Sequence, residues 1–232
     1  MSKNIRAIIF DCDGVLIDSE HAHFLSWHQA MRKYGWDFTL DEYYPYIGRS
    51  ATENARLLAE RMGLKCANAL LEEKRTYYYG HLDEVPAIQS TVDFVRLLVQ
   101  AKEKRGYKLG VASAAKKEEI LLNLKRLGIE ECFECILSGQ DDLQEYTDPE
   151  GVNKPKPYIY LHAAKVLGLL PAHCVVIEDS HSGVTAGVRA GCLTIAVPNR
   201  FTQGHDLSRA VLKIDSFSNM DVDQFFEFIH FN

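Results

Sequence analysis

The amino-acid sequence predicts a doubly wound α/β fold with a mostly parallel sheet and an all-helical lobe inserted after the first strand. Three observations carry this. Short apolar runs alternate with amphipathic stretches of helical length. Glycines 106, 128, 168 and 191 fall where the C-terminal caps of the intervening helices belong. One long stretch near the N-terminus has helical patterning but no run suited to a buried strand.

The first run is residues 7–10, Ala-Ile-Ile-Phe, too apolar and too short for anything but a strand buried on both faces. Residues 21–34, 52–62 and 67–82 each run long enough for a helix, with no strand between them. This places a helical lobe at 18–87 and an α/β core at 1–17 and 88–232. Ligands of open α/β sheets bind at the carboxyl ends of the strands, so a lobe inserted there is placed to cover the site. Beyond it the alternation resumes: helix 91–104, strand 108–112, helix 117–127, strand 134–137, helix 158–167, strand 174–177, helix 183–190 and strand 193–197. The polar, acid-rich stretch 140–153 reads as a long surface loop without an assigned role.

Composition narrows the function classes. The chain has 232 residues, 47% of them hydrophobic, enough for a sizeable core. Its net charge of −6 comes without a basic stripe, which argues against a nucleic-acid partner and leaves a small anionic metabolite open. The run following Met1-Ser2-Lys3-Asn4-Ile5-Arg6 is too short for a secretory segment, and nothing approaches the length of a membrane span. A soluble, cytoplasmic protein is expected, with a monomer as the default. Six scattered cysteines fit reduced thiols. Cys132 and Cys135 form a CxxC, but no second pair or suitably spaced histidines follow, so two ordinary thiols near a strand are expected rather than zinc.

Four features fall at the ends of apolar runs or open a helix: Asp11-Cys12-Asp13-Gly14, Ser113, Lys154-Pro155-Lys156-Pro157, and Glu178-Asp179-Ser180. In a parallel sheet all strand ends point one way, so these converge at one edge. Converging acids repel unless something neutralises them. A hard divalent cation such as Mg²⁺ suits oxygen ligands from Asp11, Asp13 and Asp179, and would also screen a phosphate under attack by a carboxylate. Lys154 adds a fixed positive charge and Ser113 a hydroxyl donor, the kind of charge placement that stabilises phosphoryl transfer.

Each feature has a plainer reading. DxDG is a common turn and also the opening of a calcium loop, but that loop needs Gly and Glu where Leu16 and Ala22 stand. Ser113 alone fits a helix cap, Lys154 alone an exposed loop lysine, Lys-Pro-Lys-Pro helix punctuation, and Glu178-Asp179-Ser180 a cap ahead of Gly183. The ordered combination is what speaks for chemistry.

That combination resembles the haloacid dehalogenase-like hydrolase superfamily, in the branch of phosphoglycolate phosphatase and β-phosphoglucomutase. Phe10-Asp11-Cys12-Asp13-Gly14-Val15, Val111-Ala112-Ser113, Lys154-Pro155-Lys156-Pro157 and Ile177-Glu178-Asp179-Ser180 with Gly183 look like its four motifs, and the likeness covers almost the whole chain. The resemblance implies a Rossmann-like core with the first strand central. It implies that Asp11 attacks phosphorus and becomes an aspartyl-phosphate, and that Asp13 protonates the leaving oxygen and later activates water. It implies Mg²⁺ held by Asp11, Asp179 and the backbone carbonyl of Asp13, with Glu178 close by, while Ser113 and Lys154 grip the phosphoryl group. The lobe would be a mobile cap. His23, Trp27, Arg49, Lys74, Ser113, Ala114 and Lys116 would lie on the substrate side.

Three rival functions follow. Asp13 argues against a dehalogenase, which needs no proton for a phosphate-ester leaving group. A phosphomutase is favoured by His23 and Trp27, four apart on one helical face, and by Lys74 and Lys116. It is disfavoured by Ala51 and Ala115, which stand where the mutase pattern has a phosphate-gripping arginine and a serine. A non-catalytic relative would be expected to lack Asp11, Asp13 or Lys154. A phosphatase acting on a small phosphomonoester is therefore expected.

Overall fold

In the computed structural model, residues 5–231 are described; the first four residues of the N-terminal reading lie outside that range. Strand β1 (Ala7–Phe10) is followed by helices α1 (Glu20–Arg32), α2 (Leu40–Tyr43), α3 (Ala51–Met62) and α4 (Ala67–Gly80). Then come α5 (Gln89–Arg105), β2 (Lys108–Ser113), α6 (Lys117–Arg126), β3 (Cys135–Ser138), α7 (Tyr158–Val166), β4 (Cys174–Glu178), α8 (His181–Ala190), β5 (Leu193–Ala196), β6 (Leu212–Lys213) and α9 (Val222–Phe231). The six strands form one sheet in the order β3-β2-β1-β4-β5-β6, every pair parallel, with β1 between β2 and β4.

The alternation of side chains along buried strands builds two apolar layers. Ile8 and Phe10 of β1, Leu109 and Val111 of β2, and Val175 and Ile177 of β4 pack with Val95 and Leu98 of α5, Leu124 of α6 and Phe225 of α9. The intervening residues Ala7, Ile9, Ala112, Cys174 and Val176 face the other way, onto Ile159 and Ala163 of α7 and Ala186 of α8. The sheet is thus covered on both faces, as a doubly wound fold requires. Register aligns Phe10 with Val111 and Ile177, so Asp11, Ser113 and Glu178 emerge side by side at one edge.

Helices α1 to α4 pack on one another around a separate apolar cluster that includes Trp27, Met31, Phe38, Leu58 and Leu70. Phe201, from the loop after β5, joins this cluster from the core side. The two chain segments that connect lobe and core are hydrogen-bonded to each other: Asp18 N donates to Pro86 O (2.9 Å) and Ile88 N to Leu16 O (3.0 Å).

Several details differ from the sequence reading. Strand β6 and helices α2 and α9 were not expected: β6 has only two residues, too short for any periodicity to register. The 140–153 stretch is not a loose excursion. Asp142 accepts from Lys117 Nζ (2.8 Å) and Ser138 N (2.7 Å), and Leu143 is buried. Cys132 and Cys135 are free thiols, as are the other four cysteines. No helix among the described residues is long and apolar enough to cross a membrane.

Leu109 is fully buried between α5 and α6, so Leu109→Ala is expected to destabilise the protein by roughly 2–5 kcal/mol. Leu170→Ala, at a 66% exposed position, should cost no more than about 0.5 kcal/mol. Urea unfolding of the two variants checks the contrast.

Candidate active site

Asp11 leaves β1 at the sheet edge and is buried. Lys154 Nζ lies 2.9 Å from Asp11 Oδ1 and 2.7 Å from Glu178 Oε1. The first approach has the distance of an ion pair but not the angles of a hydrogen bond, so Asp11 Oδ1 is buried without a hydrogen-bond donor. Asp11, Glu178 and Asp179 offer carboxylate oxygens within 4.8 Å of one another, all buried. Were all three carboxylates ionised against one ammonium, two excess negative charges would lie out of water, which is costly without a counter-charge. Oxygen donors, a deficit of two charges and an unpartnered oxygen fit a hard divalent cation.

The titration behaviour follows from the same crowding. Burial, with the charges of Glu178 and Asp13 adding to it against the pull of Lys154, pushes Asp11 up to about 8. Burial and the carboxylates of Glu178 and Asp11 raise Asp179 well above the usual range. Burial alone would lower Lys154, but Asp11 and Glu178 outweigh it and hold the ammonium charged.

Asp13, two residues on, has a different environment. Ser19 Oγ donates to its Oδ1 at 2.6 Å, Ser113 Oγ to its Oδ2 at 3.1 Å, and His23 Nε2 lies 3.4 Å from Oδ1. Burial would raise its pKa, but His23, Ser19 and Ser113 override that and bring it down to about 2. Its side chain is therefore occupied by donors and lies outside the carboxylate group that suits a cation. Only its main-chain carbonyl remains for the metal role given to it above.

Close approaches hold the constellation. Gly14 has φ +80°, and a Cβ there would sit 2.3 Å from Asp179 Oδ2. A Cβ on Gly183 would lie 1.8 Å from Glu178 Oε1. Ser180 also caps α8, its Oγ accepting from Gly183 N (3.2 Å), so capping and chemistry share one motif. Glu178 Oε2 accepts from the backbone N–H of Asp179 (3.1 Å), and its Oε1 from Tyr160 Oη (2.6 Å). Asn199 Nδ2 donates to Asp179 Oδ2 (2.8 Å) and Gly14 O (3.2 Å).

A cavity of about 70 Å³ lies over these residues, between them and the lobe. Asp11, Asp13, Ser113, Ala114, Lys154 and Asp179 line its floor. His23, Trp27, Arg49 and Lys74 reach it from the lobe. Lys74 Nζ is 3.1 Å from His23 Nδ1 and 4.4 Å from the centre of the Tyr78 ring. Arg49 is tied to Glu53 (2.6 Å). Lys116 is not among the lining residues: it precedes α6, and Glu119, one turn into that helix, faces the cavity instead.

Glu119, Glu20, Gln140, Tyr160 and Asn199 escaped the sequence reading. Asn199 lies three residues past β5 and carried the strand-end signal; Gln140 likewise follows β3. Nothing in local pattern marks Tyr160, which is one more apolar-face residue of α7.

The profile of the haloacid dehalogenase-like hydrolase family matches residues 5–191. The chain is 32% identical to the phosphorylated carbohydrates phosphatase of Thermotoga maritima over 192 residues, covering 81% of this chain and 82% of that protein. It is 28% identical to the beta-phosphoglucomutase of Bacillus subtilis, covering 94% and 93%. Among solved structures, beta-phosphoglucomutase from Clostridium difficile superposes with a TM-score of 0.78 at 27% identity, over 97% of each chain.

Gly183→Ala forces a methyl into the Glu178 carboxylate and is expected to cost about 1–3 kcal/mol or more. Thermal unfolding beside Gly204→Ala, where the added Cβ meets nothing, measures it.

Proposed function

The chain belongs to the haloacid dehalogenase-like hydrolase family, and we propose that it is a Mg²⁺-dependent phosphatase that hydrolyses a small phosphomonoester through an aspartyl-phosphate, an acyl phosphate on Asp11. The observation that carries this is the buried Asp11 carboxylate at the end of the central strand, held beside Lys154 with one oxygen free of hydrogen-bond donors.

In this reading Asp11, Asp179 and the carbonyl of Asp13 hold Mg²⁺, with Glu178 alongside. Bound there, the ion would neutralise the excess charge and screen the phosphate from the carboxylates. Asp11 attacks phosphorus, and the bond to the leaving oxygen breaks as Asp13 gives that oxygen a proton. Lys154 and Ser113 hold the phosphoryl oxygens. The hydrogen bonds around Asp13 favour its ionised form, the one that takes a proton from water in the second half, as the water oxygen bonds phosphorus and the bond from phosphorus to Asp11 breaks to release phosphate. Protonating it for the first half requires those donors to withdraw, and His23 and Ser19 lie on the lobe side. Residues 18–87 then act as a cap whose closure excludes water. The substrate is a phosphorylated metabolite of the sugar-phosphate or phosphoglycolate kind, handled in the cytoplasm by a monomer.

A phosphomutase is the second reading, favoured by the contact of His23 with Asp13 and by the mutase among the similar proteins. Ala51 and Ala115 line the cavity, and Arg49 is engaged by Glu53, which leaves a distal phosphate poorly gripped.

Asp11→Asn should abolish turnover of sugar phosphates and an aryl phosphate, as should chelation of the metal; a variant or chelated enzyme that still releases phosphate sinks the mechanism. With β-glucose 1-phosphate and a bisphosphate activator, free phosphate is expected, and isomerised sugar phosphate identifies a mutase.

The acid group also sets a pH dependence. Asp11 holds its proton up to about pH 8 without metal, so protons compete with Mg²⁺ below that value. Because its folded pKa is raised, metal-free stability should fall as pH rises from about 4 to 8. Mg²⁺ is expected to raise the melting temperature more at pH 8 than at pH 6, read by differential scanning fluorimetry.

A further inference from the structure

The floor of the cavity is taken up by the reaction: Asp11, Asp13, Asp179, Ser113 and Lys154. The charged residues left over are Glu20 and Glu119 against Lys74 and Arg49. Arg49 is half exposed, and its guanidinium bonds Glu53 (2.6 Å) and donates to Pro45 O (3.3 Å). Two buried carboxylates therefore face the substrate side with one buried ammonium.

Both carboxylates are buried, and each is anchored by one tyrosine. Tyr43 Oη donates to Glu20 Oε2 (2.8 Å), and Tyr79 Oη to Glu119 Oε1 (3.2 Å). The other oxygens, Glu20 Oε1 and Glu119 Oε2, receive no hydrogen bond among the described residues. Lys74 is also buried, held by His23 and the Tyr78 face, and forms no ion pair among the described residues. Burial weakens its charge, and Glu119 is the strongest of the neighbours that sustain it.

We infer that this wall selects phosphate esters whose remaining part is uncharged and rich in hydroxyls, and that Glu119 is the residue that rejects a second anionic group. The inference rests on the phosphatase reading above. A hydroxyl donates to a free carboxylate oxygen and accepts from Lys74, so it satisfies both kinds of partner at once. A carboxylate or second phosphate does neither for Glu20 and Glu119 and meets carboxylates that are themselves buried, where repulsion is less screened than in water. Lys74 is the buried cation on this wall able to draw such a group, and Glu119 masks it.

The test compares kcat/KM for a neutral hexose monophosphate with that for phosphoglycolate and for a hexose bisphosphate. The wild type should favour the neutral ester by about tenfold or more. Glu119→Gln keeps the size of the side chain and the acceptor for Tyr79, and should raise the anionic-to-neutral ratio by about tenfold. Glu119→Gln combined with Lys74→Met should lose that gain. Melting temperatures verify that the variants fold. Equal or better use of the anionic esters by the wild type overturns the inference, as does an unchanged ratio in Glu119→Gln. If no ester in the panel yields phosphate, the phosphatase reading falls on its own. Calorimetric binding of the same esters to the Asp11→Asn protein then still reads the charge rule: a preference for the neutral ester supports it, and tighter binding of phosphoglycolate overturns it.

Discussion

Three buried carboxylates face one buried ammonium at the end of the central strand, and most of the surrounding architecture serves to hold that imbalance in place. Strand register delivers Asp11 and Glu178 side by side. The absence of a side chain at Gly14 and Gly183 lets Asp179 and Glu178 approach the backbone. Tyr160 and the amide following Glu178 occupy that carboxylate's lone pairs, while Asn199 fixes Asp179 from the loop after β5. Such a cluster is unfavourable for the folded protein taken alone, because each charge has left water. In the function proposed above, it is a preorganised receptor for positive charge and for a phosphoryl group.

The two aspartates of Asp11-Cys12-Asp13 show how finely environment divides similar groups. Asp11 points into the charge cluster and favours its protonated form when no cation balances it. Asp13, two residues away, points toward Ser19, His23 and Ser113 and favours its ionised form. Donors to Asp13 come from both lobe and core, so lobe position and the protonation state of this residue are linked by direct contact rather than through distant relays.

Much of this was legible before any coordinates. The five longer strands announced themselves because strands buried on both faces read as unbroken apolar runs, and strand ends in a parallel sheet must converge. What remained hidden has a common physical cause: side-chain reach across the fold. Tyr160 looks like any core residue of α7, yet its hydroxyl meets Glu178. Glu119 reads as one acid among the charges opening α6, and it is helix phase that turns it toward the cavity while Lys116 stays off the lining. Arg49 reads as a candidate grip, and its partner Glu53 lies four residues on, in the first turn of α3, a pairing the spacing allows but does not dictate. Strand β6 is too short to carry a pattern, and Gln140 was hidden in a stretch whose acids anchor it rather than leave it solvated.

The hydrogen bonds between the segment entering the lobe and the one leaving it bear on how the chain assembles. β1 and β2 are neighbours in the sheet but almost a hundred residues apart in sequence. Closing so long a loop carries an entropic cost. The lobe is made of helices that pack mainly on each other, so it can collapse on local contacts. Once Leu16 pairs with Ile88 and Asp18 with Pro86, its two ends are joined, and the intervening chain counts as a short connection. The insertion that covers the site thus also shortens the effective distance over which the central pair of strands must find each other.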